Sequence, residues 1–218
     1  MEEKTLLVLF EDRDLLVVRK PTAINSEHTA DKTGLPDLLA QERGGSFFPI
    51  HRLDFGVGGA LLCAKTQKAA ADLSRAAAEG KIKKEYLALA HGELPAVGKL
   101  ENLLFYDRKV GKSFVVDRER KGVKTASLSF ALEKVLESPW GILSLVRVFP
   151  ETGRTHQIRV QFANAGHPLL GDKKYGAKES APIGLCCTRL TFPHPASGDA
   201  IEVSFVPTGG AWELCSLS

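Results

Sequence analysis

The sequence predicts an α+β fold in which a mainly antiparallel, mixed β-sheet carries a few flanking helices. Apolar runs of strand length recur along the chain, and several are separated only by short polar turns. Segments with helical periodicity are few and lie between the strands. The chain has 218 residues, 44% of them hydrophobic and 25% charged, which is enough to bury a substantial core. No linker, repeat or low-complexity tract divides it, so we expect a single domain over residues 1–218.

The expected strands either alternate apolar and polar residues or run apolar between turn residues. In chain order they are residues 5–10, 15–19, 59–64, 86–90, 126–133, 142–149, 185–192 and 200–206. The alternation is clearest at 126–133, and the turn at 139–141 joins that strand to the next as a hairpin. A second hairpin is expected around the polar turn at 11–14.

Helices are expected at three places. The first rests on three leucines that share one helical face, Leu35, Leu38 and Leu39, and it should end near residues 44–45. The second begins after Thr66, whose hydroxyl can cap a helix, and ends at Gly80. Its buried stripe is expected to consist of Ala69, Ala70, Leu73, Ala76 and Ala77. The third is expected over residues 156–164 and is closed by Gly166.

The net charge of +3 does not by itself indicate a nucleic-acid partner. Basic residues are concentrated locally, because residues 108–124 contain seven of them and only two acidic ones. The basic residues are Arg108, Lys109, Lys112, Arg118, Arg120, Lys121 and Lys124. Such a stretch can neutralise phosphates. A solvated basic loop is the alternative.

The cysteine pattern favours a reduced compartment. The four cysteines, Cys63, Cys186, Cys187 and Cys215, include no Cys-x-x-Cys pair. Adjacent cysteines rarely share a disulfide or a metal, so one of Cys186 and Cys187 is expected in the core. The apolar run after the charged residues 1–4 is too short for a signal peptide, and no segment has the length of a transmembrane helix. We therefore expect a cytoplasmic protein that binds neither a membrane nor a metal.

Asp54 is the first candidate for chemistry. It closes the charged triplet His51, Arg52 and Asp54, and a glycine-rich bend and a buried strand follow it. A carboxylate on such a loop can act as a nucleophile or as a general base. Metal ligation would need more converging acidic groups or histidines, and Asp54 has no acidic neighbour in its loop. A turn aspartate that pairs with Arg52 is the alternative.

Arg159 is the second candidate. Ile158 and Phe162 are expected to anchor the third helix, which leaves His156 and Arg159 on another face. A cation near a helix N-terminus is disfavoured by the macrodipole, so its presence suggests a carboxylate partner. We expect that partner to be Asp54, oriented and kept ionised by a bidentate contact. The alternative is a surface arginine without a specific partner.

Tyr86 is the third candidate, at the start of an expected strand. Strand tyrosines usually lie in the core with the hydroxyl at its edge. A tyrosine at the edge of a cleft can instead stack on a base, a contact worth about 1–3 kcal/mol. The neighbouring Lys81, Lys83 and Lys84 would then lie close enough to meet phosphates.

These segments resemble the signature motifs of the RluA-type RNA pseudouridine synthases. The first motif is His51-Arg52-Leu53-Asp54 with the run to Ala64-Lys65-Thr66. The second surrounds Tyr86 at residues 84–92, and the third runs from Gly153 to Val160. Further matches are residues 15–21, Gly166-His167-Pro168, Gly171-Asp172-x-x-Tyr175-Gly176 and Arg189-Leu190-x-Phe192-x-His194-Pro195. The resemblance therefore covers roughly residues 15–206.

The resemblance implies an enzyme that converts a uridine of rRNA or tRNA into pseudouridine, with RNA bound in a central cleft. It makes Asp54 the essential carboxylate, places Tyr86 against the uracil and pairs Arg159 with Asp54. Arg52 would fill the gap that a flipped uridine leaves. His51, Lys83, Lys84, Arg154 and His156 are further expected RNA contacts. Because the isomerisation is redox-neutral, no cofactor is expected, and the protein is expected to act as a monomer.

The chain departs from the family pattern at Val57-Gly58, where Thr-Ser is usual. The missing hydroxyls could brace the loop that carries Asp54. The family's frequent N-terminal RNA-binding domain of S4 type is also expected to be absent. Two alternatives therefore stay open: an RNA-binding protein with weakened chemistry on the same scaffold, and a carboxylate-dependent hydrolase that shares the loop.

Overall fold

The computed structural model describes residues 6–29 and 32–215. The charged residues 1–4 and the first residue of the expected strand 5–10 lie outside this range. Backbone contacts divide the described residues into two compact units. The first unit belongs to residues 1–84 and 186–207, and the second to residues 85–185 and 208–218. The single domain expected over the whole chain stays a prediction.

Strands dominate the described residues, as the sequence predicts. In chain order they are β1 (Val8–Glu11), β2 (Leu15–Lys20), β3 (Phe48–Pro49), β4 (Gly58–Ala64), β5 (Lys83–His91), β6 (Val97–Asp107), β7 (Lys112–Val116), β8 (Val123–Ser138), β9 (Gly141–Pro150), β10 (Leu185–Pro193) and β11 (Ala200–Ser204). The α-helices are α1 (Leu35–Arg43), α2 (Gln67–Ala78) and α3 (Gln157–Asn164). Strands with few helices confirm the predicted α+β class.

The first unit contains a mixed sheet. Strand β1 pairs with β2 and β2 with β4, both antiparallel, so the hairpin predicted around residues 11–14 is confirmed. Strand β4 also pairs in parallel with β10, where Gly59 lies opposite Cys187. A side chain could not fit there, since a Cβ on Gly59 would lie 2.4 Å from the Cys187 carbonyl oxygen. Strands β11 and β3 pair antiparallel with β10 and β4 respectively.

Both helices predicted for the first unit form. Helix α1 ends at Arg43 with Gly44 as its C-cap, close to the end near residues 44–45 that the sequence predicts. In α2 the Thr66 hydroxyl accepts a hydrogen bond from the Ala69 amide at 3.1 Å, which confirms the predicted cap. The buried stripe is narrower than predicted, because only Ala69, Leu73 and Ala76 are buried. Ala70 and Ala77 lie about 80–100° around the helix from Ala69, at the edge of the stripe, and both contact solvent.

The second unit is an antiparallel sheet with strand order β5-β9-β8-β6-β7. The hairpin predicted across residues 139–141 is confirmed as β8–β9. Helix α3 packs on β6 and β7, and Phe162 lies 5.4 Å from the ring of Phe130. The hairpin β6–β7 was not predicted. Leu104 is buried in β6, whereas the other apolar side chains of that strand are half-buried or exposed, so the hydrophobic signal of a core strand is weak.

All four cysteines are free and buried. Both Cys186 and Cys187 are in the core, although only one was expected there, because residues 185–188 of β10 are all buried. Burial raises the pKa of Cys63 and of Cys186 to about 12, so both thiols are protonated at neutral pH. Within residues 6–29 and 32–215, every helix is too short or too polar to cross a membrane.

Candidate active site

Asp54 lies in the loop between β3 and β4 and is half-buried. Its carbonyl oxygen accepts a hydrogen bond from the Val57 amide at 2.9 Å, which closes a tight turn through Phe55 and Gly56. The turn interpretation of Asp54 therefore holds for its backbone. The turn uses only main-chain atoms of Asp54.

The two other members of the charged triplet have different surroundings. Arg52 is exposed, and its guanidinium pairs with Glu27 at 3.2 Å rather than serving the turn. His51 uses Nε2 to accept a hydrogen bond from the Leu62 amide at 3.3 Å, while its buried Nδ1 has no partner among the described residues. Burial and, to a smaller extent, the charge of Lys84 lower the pKa of His51 to about 3. Its imidazole is neutral at pH 7.

Lys20, at the end of β2, was not singled out by the sequence and is fully buried. Its ammonium group donates hydrogen bonds to the carbonyl oxygens of Pro21 at 2.9 Å and of Ile24 at 2.8 Å. Burial lowers the pKa of Lys20 to about 8, while the negative charge of Asp54 acts in the opposite direction. The Lys20 amine is therefore largely cationic at neutral pH.

The tyrosine motif lies on β5. Tyr86 is buried and pairs in register with Val148 of β9. Lys83 is exposed and free to meet an anion in solvent. Lys84 is half-buried, and burial lowers its pKa, with a smaller opposing effect from Cys187.

Arg159 is buried in α3 and is bound by a carboxylate of its own unit. Its Nε lies 2.7 Å from Oδ2 of Asp172, and its Nη2 lies 2.8 Å from Oδ1. The guanidinium carbon also lies 5.2 Å from the ring centroid of Tyr175. The interpretation of Arg159 as an unpartnered surface arginine is therefore wrong. Its predicted pairing with Asp54 joins the two units and stays a prediction.

Asp172 and Tyr175 are site residues to which the sequence assigned no role. They belong to residues 171–176, whose sequence fits a family motif but does not indicate what each residue contacts. The Tyr175 hydroxyl accepts a hydrogen bond from the Ser113 amide at 2.9 Å and lies 2.9 Å from Nδ1 of His156. The motif was visible in the sequence, but the contacts that explain it were not.

His156 precedes α3 instead of beginning it. Its backbone is left-handed, with φ of 54°, so the helix starts at Gln157. The predicted helical face shared by His156 and Arg159 is therefore wrong. The imidazole instead lies edge-on to the rings of Tyr106 and Tyr175, with centroids 6.1 and 5.7 Å away.

The basic stretch 108–124 is not a simple loop, because it contains β7 and the turns on either side of it. Beyond β7 it contributes to an open cavity of about 520 Å³. The cavity is lined by Leu103, Glu119, Arg120, Val123, Lys124, Thr125 and Arg154. Arg154 is fixed there by a 2.9 Å hydrogen bond from Nε to the Thr125 carbonyl oxygen. Three cations against one carboxylate make this cavity suitable for a phosphate group.

Metal ligands do not converge in the described part of the chain: no group of three or more His, Cys, Asp or Glu side chains there could hold an ion. The candidate functional groups are the half-buried carboxylate of Asp54, the buried guanidinium of Arg159 and the cations of the basic cavity. In the first unit Asp54 is a carboxylate of the kind that serves acid–base or nucleophilic catalysis, and in the second unit the basic cavity suits an anionic ligand.

Comparison with known proteins defines the class. The chain matches the family model of RNA pseudouridylate synthase over residues 14–164. It is 34% identical over 210 residues to ribosomal large subunit pseudouridine synthase C of Buchnera aphidicola subsp. Acyrthosiphon pisum. It is 32% identical over 211 residues to the protein of the same name from Pasteurella multocida. These alignments cover 90% of this chain but only 65% and 63% of the two relatives.

Solved structures give the same result. Human RNA pseudouridylate synthase domain containing 1 superimposes with a TM-score of 0.79 at 28% identity, covering 94% of this chain and 84% of that one. Human RNA pseudouridylate synthase domain containing 4 gives a TM-score of 0.71 at 22% identity, over 91% and 87% of the two chains, which supports the fold alone. The chain belongs to the RNA pseudouridylate synthase family, as its motifs predicted.

Proposed function

We propose that this chain is an RNA pseudouridine synthase that isomerises a specific uridine in structured RNA. The family match carries the proposal, because it spans residues 14–164, and the candidates Asp54, Tyr86 and Arg159 all lie within that range. The protein would act in the cytoplasm as a monomer.

The reaction breaks the N1–C1′ bond of uridine, turns the uracil and joins C5 to C1′. The proton lost from C5 is balanced by the one that N1 gains, so no oxidant, reductant or cofactor is required. Asp54 would be the essential carboxylate, either attacking C1′ or removing the C2′ proton. Tyr86 would lie against the uracil, and Arg159 would form the ion pair with Asp54.

The target uridine must leave its stack before its two faces can be handled. Arg52 is suited to fill the gap, because its guanidinium is planar, exposed and held only by the exposed pair with Glu27. Lys83 and Arg154 would bind phosphates, the latter from the basic cavity with Arg120 and Lys124. His51, Lys84 and His156 complete the proposed RNA contacts. Because His51 is neutral, it would contact the RNA by packing and not through a positive charge.

The substrate is proposed to be ribosomal RNA, because both bacterial relatives are named for the large ribosomal subunit. Transfer RNA is the second possibility. Mapping pseudouridines in both RNAs, from cells with and without this protein, distinguishes the two substrates.

Asp54→Asn tests the catalytic role. It should lower the rate of pseudouridine formation by about 10²–10⁴-fold or more, to an undetectable level. The affinity for RNA should change by less than about twofold. Asp72→Asn, which removes a carboxylate from the surface of α2, is the matched control and should leave the rate unchanged. A wild-type protein that binds RNA but forms no pseudouridine would favour the RNA-binding alternative. Release of free uracil would identify a hydrolase.

A further inference from the structure

Ser26 joins two segments of the first unit that are 27 positions apart. Its side chain is buried, with 5% of the residue exposed. Its Oγ accepts a hydrogen bond from the Leu53 amide at 2.9 Å and donates one to the Leu53 carbonyl oxygen at 2.8 Å. A single hydroxyl thus satisfies both backbone groups of the residue that directly precedes Asp54.

A second contact from the same segment lies on the other side of Asp54. The Ala23 amide donates a hydrogen bond of 2.8 Å to the carbonyl oxygen of Phe55. Asp54 therefore lies between two residues that are each bonded to residues 23–26. We call Ala23, Ser26 and the bonds that they make the brace.

The brace is itself held in shape by Lys20. The ammonium group of Lys20 binds the carbonyl oxygens of Pro21 and Ile24, so it closes the turn from which Ser26 extends. Ala23 within that turn has a left-handed backbone, with φ of 63°, a conformation that a non-glycine residue adopts only when its surroundings impose it. The segment that carries the brace is thus held by the hydrogen bonds of the buried Lys20 side chain.

The Asp54 loop lacks hydroxyls of its own after the turn. Val57 is buried and has no polar side-chain atom, and Gly58 has no side chain. A Cβ on Gly58 would lie 3.2 Å from the carbonyl oxygen of Lys20, so the position is already crowded by the backbone of β2. The hydroxyl that supports the loop comes instead from Ser26.

We propose that Ser26 is a positioning residue, which sets the location of the Asp54 carboxylate through the backbone of Leu53. This inference rests on the proposed role of Asp54 in pseudouridine formation. Displacing a catalytic group by about 1 Å can cost about 10²-fold in rate. The brace acts on the reaction without touching the substrate.

Ser26→Ala tests the proposal against a closely matched control. Ser144 makes the same kinds of bond in the second unit, although to two different residues: it is buried, accepts a hydrogen bond from the Leu94 amide at 3.0 Å and donates one to the Gly92 carbonyl oxygen at 2.8 Å. Ser26→Ala should lower kcat about 10- to 100-fold with KM for the RNA within about twofold. Ser144→Ala removes equivalent bonds and should leave kcat unchanged.

A second measurement does not depend on activity. The Val57 amide closes the Asp54 turn by its hydrogen bond to the Asp54 carbonyl oxygen, so its hydrogen exchange reports on the turn itself. Exchange at Val57 should accelerate at least about tenfold in Ser26→Ala and stay unchanged in Ser144→Ala.

The outcomes separate the two proposals. Unchanged Val57 exchange in Ser26→Ala overturns the positioning role, and so does a kcat loss equal to that of Ser144→Ala. If the wild-type protein forms no pseudouridine, the proposed function is wrong, and the exchange measurement alone decides whether Ser26 holds the turn.

Discussion

Asp54 and Arg159 are held in place in different ways. Asp54 is half-buried, and the bonds that locate it reach the backbone of its neighbours, Leu53 and Phe55. Arg159 is buried, and its side chain is held directly. Asp172 accepts two hydrogen bonds from the guanidinium, and the ring of Tyr175 packs against it. Backbone bonds of its neighbours thus help to position Asp54, whereas bonds to the charged side chain itself hold Arg159.

The difference follows from burial. A buried guanidinium requires a charged partner with good geometry, since an isolated charge in the interior is very costly. A carboxylate in a turn near solvent does not need such a partner to be stable, but its direction depends on the backbone that carries it. Changes around Arg159 should therefore lower the stability of the fold first. Changes around Asp54 should first alter the rate.

Asp172→Asn should have the largest effect on stability. It replaces the charged partner of a buried arginine with a neutral amide, and the free energy of unfolding should fall by about 3 kcal/mol. Urea denaturation measures the change. Asp72→Asn removes the partner of the exposed Arg75, 3.3 Å away, and should cost less than about 1 kcal/mol. Equal losses in the two variants would contradict the contrast between the two regions.

The sequence predicts the features that depend on neighbouring residues, but not the contacts between residues that are far apart in the chain. The hairpin β1–β2, the hairpin β8–β9 and the cap at Thr66 depend on residues that are close in the chain, and local patterns predicted them. The positions of Asp54, Tyr86 and Arg159 in family motifs were also readable. Their supports were not, because Ser26 meets Leu53 across 27 positions and Arg159 meets Asp172 across 13. No periodicity or turn signal encodes such a pairing.

The missed hairpin β6–β7 has a different physical reason. It lies at the edge of the second unit's sheet, where β7 pairs with a single strand. Most of β6 is half-buried or exposed, and Gly98 allows the ring of Phe130 to pack against the backbone: a Cβ there would lie 2.3 Å from the ring. A strand with so few buried apolar residues lacks the pattern on which strand prediction depends.

Tyr175→Phe tests how much a single hydroxyl near Arg159 contributes to stability. The ring beside Arg159 stays, but the hydroxyl that accepts a hydrogen bond from the buried Ser113 amide is lost. Leaving that amide unsatisfied should lower the free energy of unfolding by about 1–2 kcal/mol. Tyr106→Phe, at a partly exposed position of β6, should change it by less than about 0.5 kcal/mol. If the two variants are equally stable, the Tyr175 hydroxyl does not support this region.

Lys20→Met tests the region around Asp54. The expected change, in the pH dependence of the free energy of unfolding, is the smallest of the predicted effects. Burial lowers the pKa of Lys20 from 10.5 to about 8 in the folded protein. Between these values the unfolded chain binds a proton that the folded chain has released, so this group makes the fold more stable as pH rises. From pH 7 to 8.5 the gain should stay under about 1 kcal/mol in the wild-type protein and be absent in Lys20→Met. Urea denaturation of both proteins at several pH values isolates the difference, because the other titrating groups are common to both. Parallel pH profiles would mean that Lys20 is charged alike in the folded and unfolded chain. In that case the turn that carries Ser26 would not enclose a desolvated amine beside Asp54. The surroundings of Asp54 would then lack the buried charge that this contrast with Arg159 assigns to Lys20.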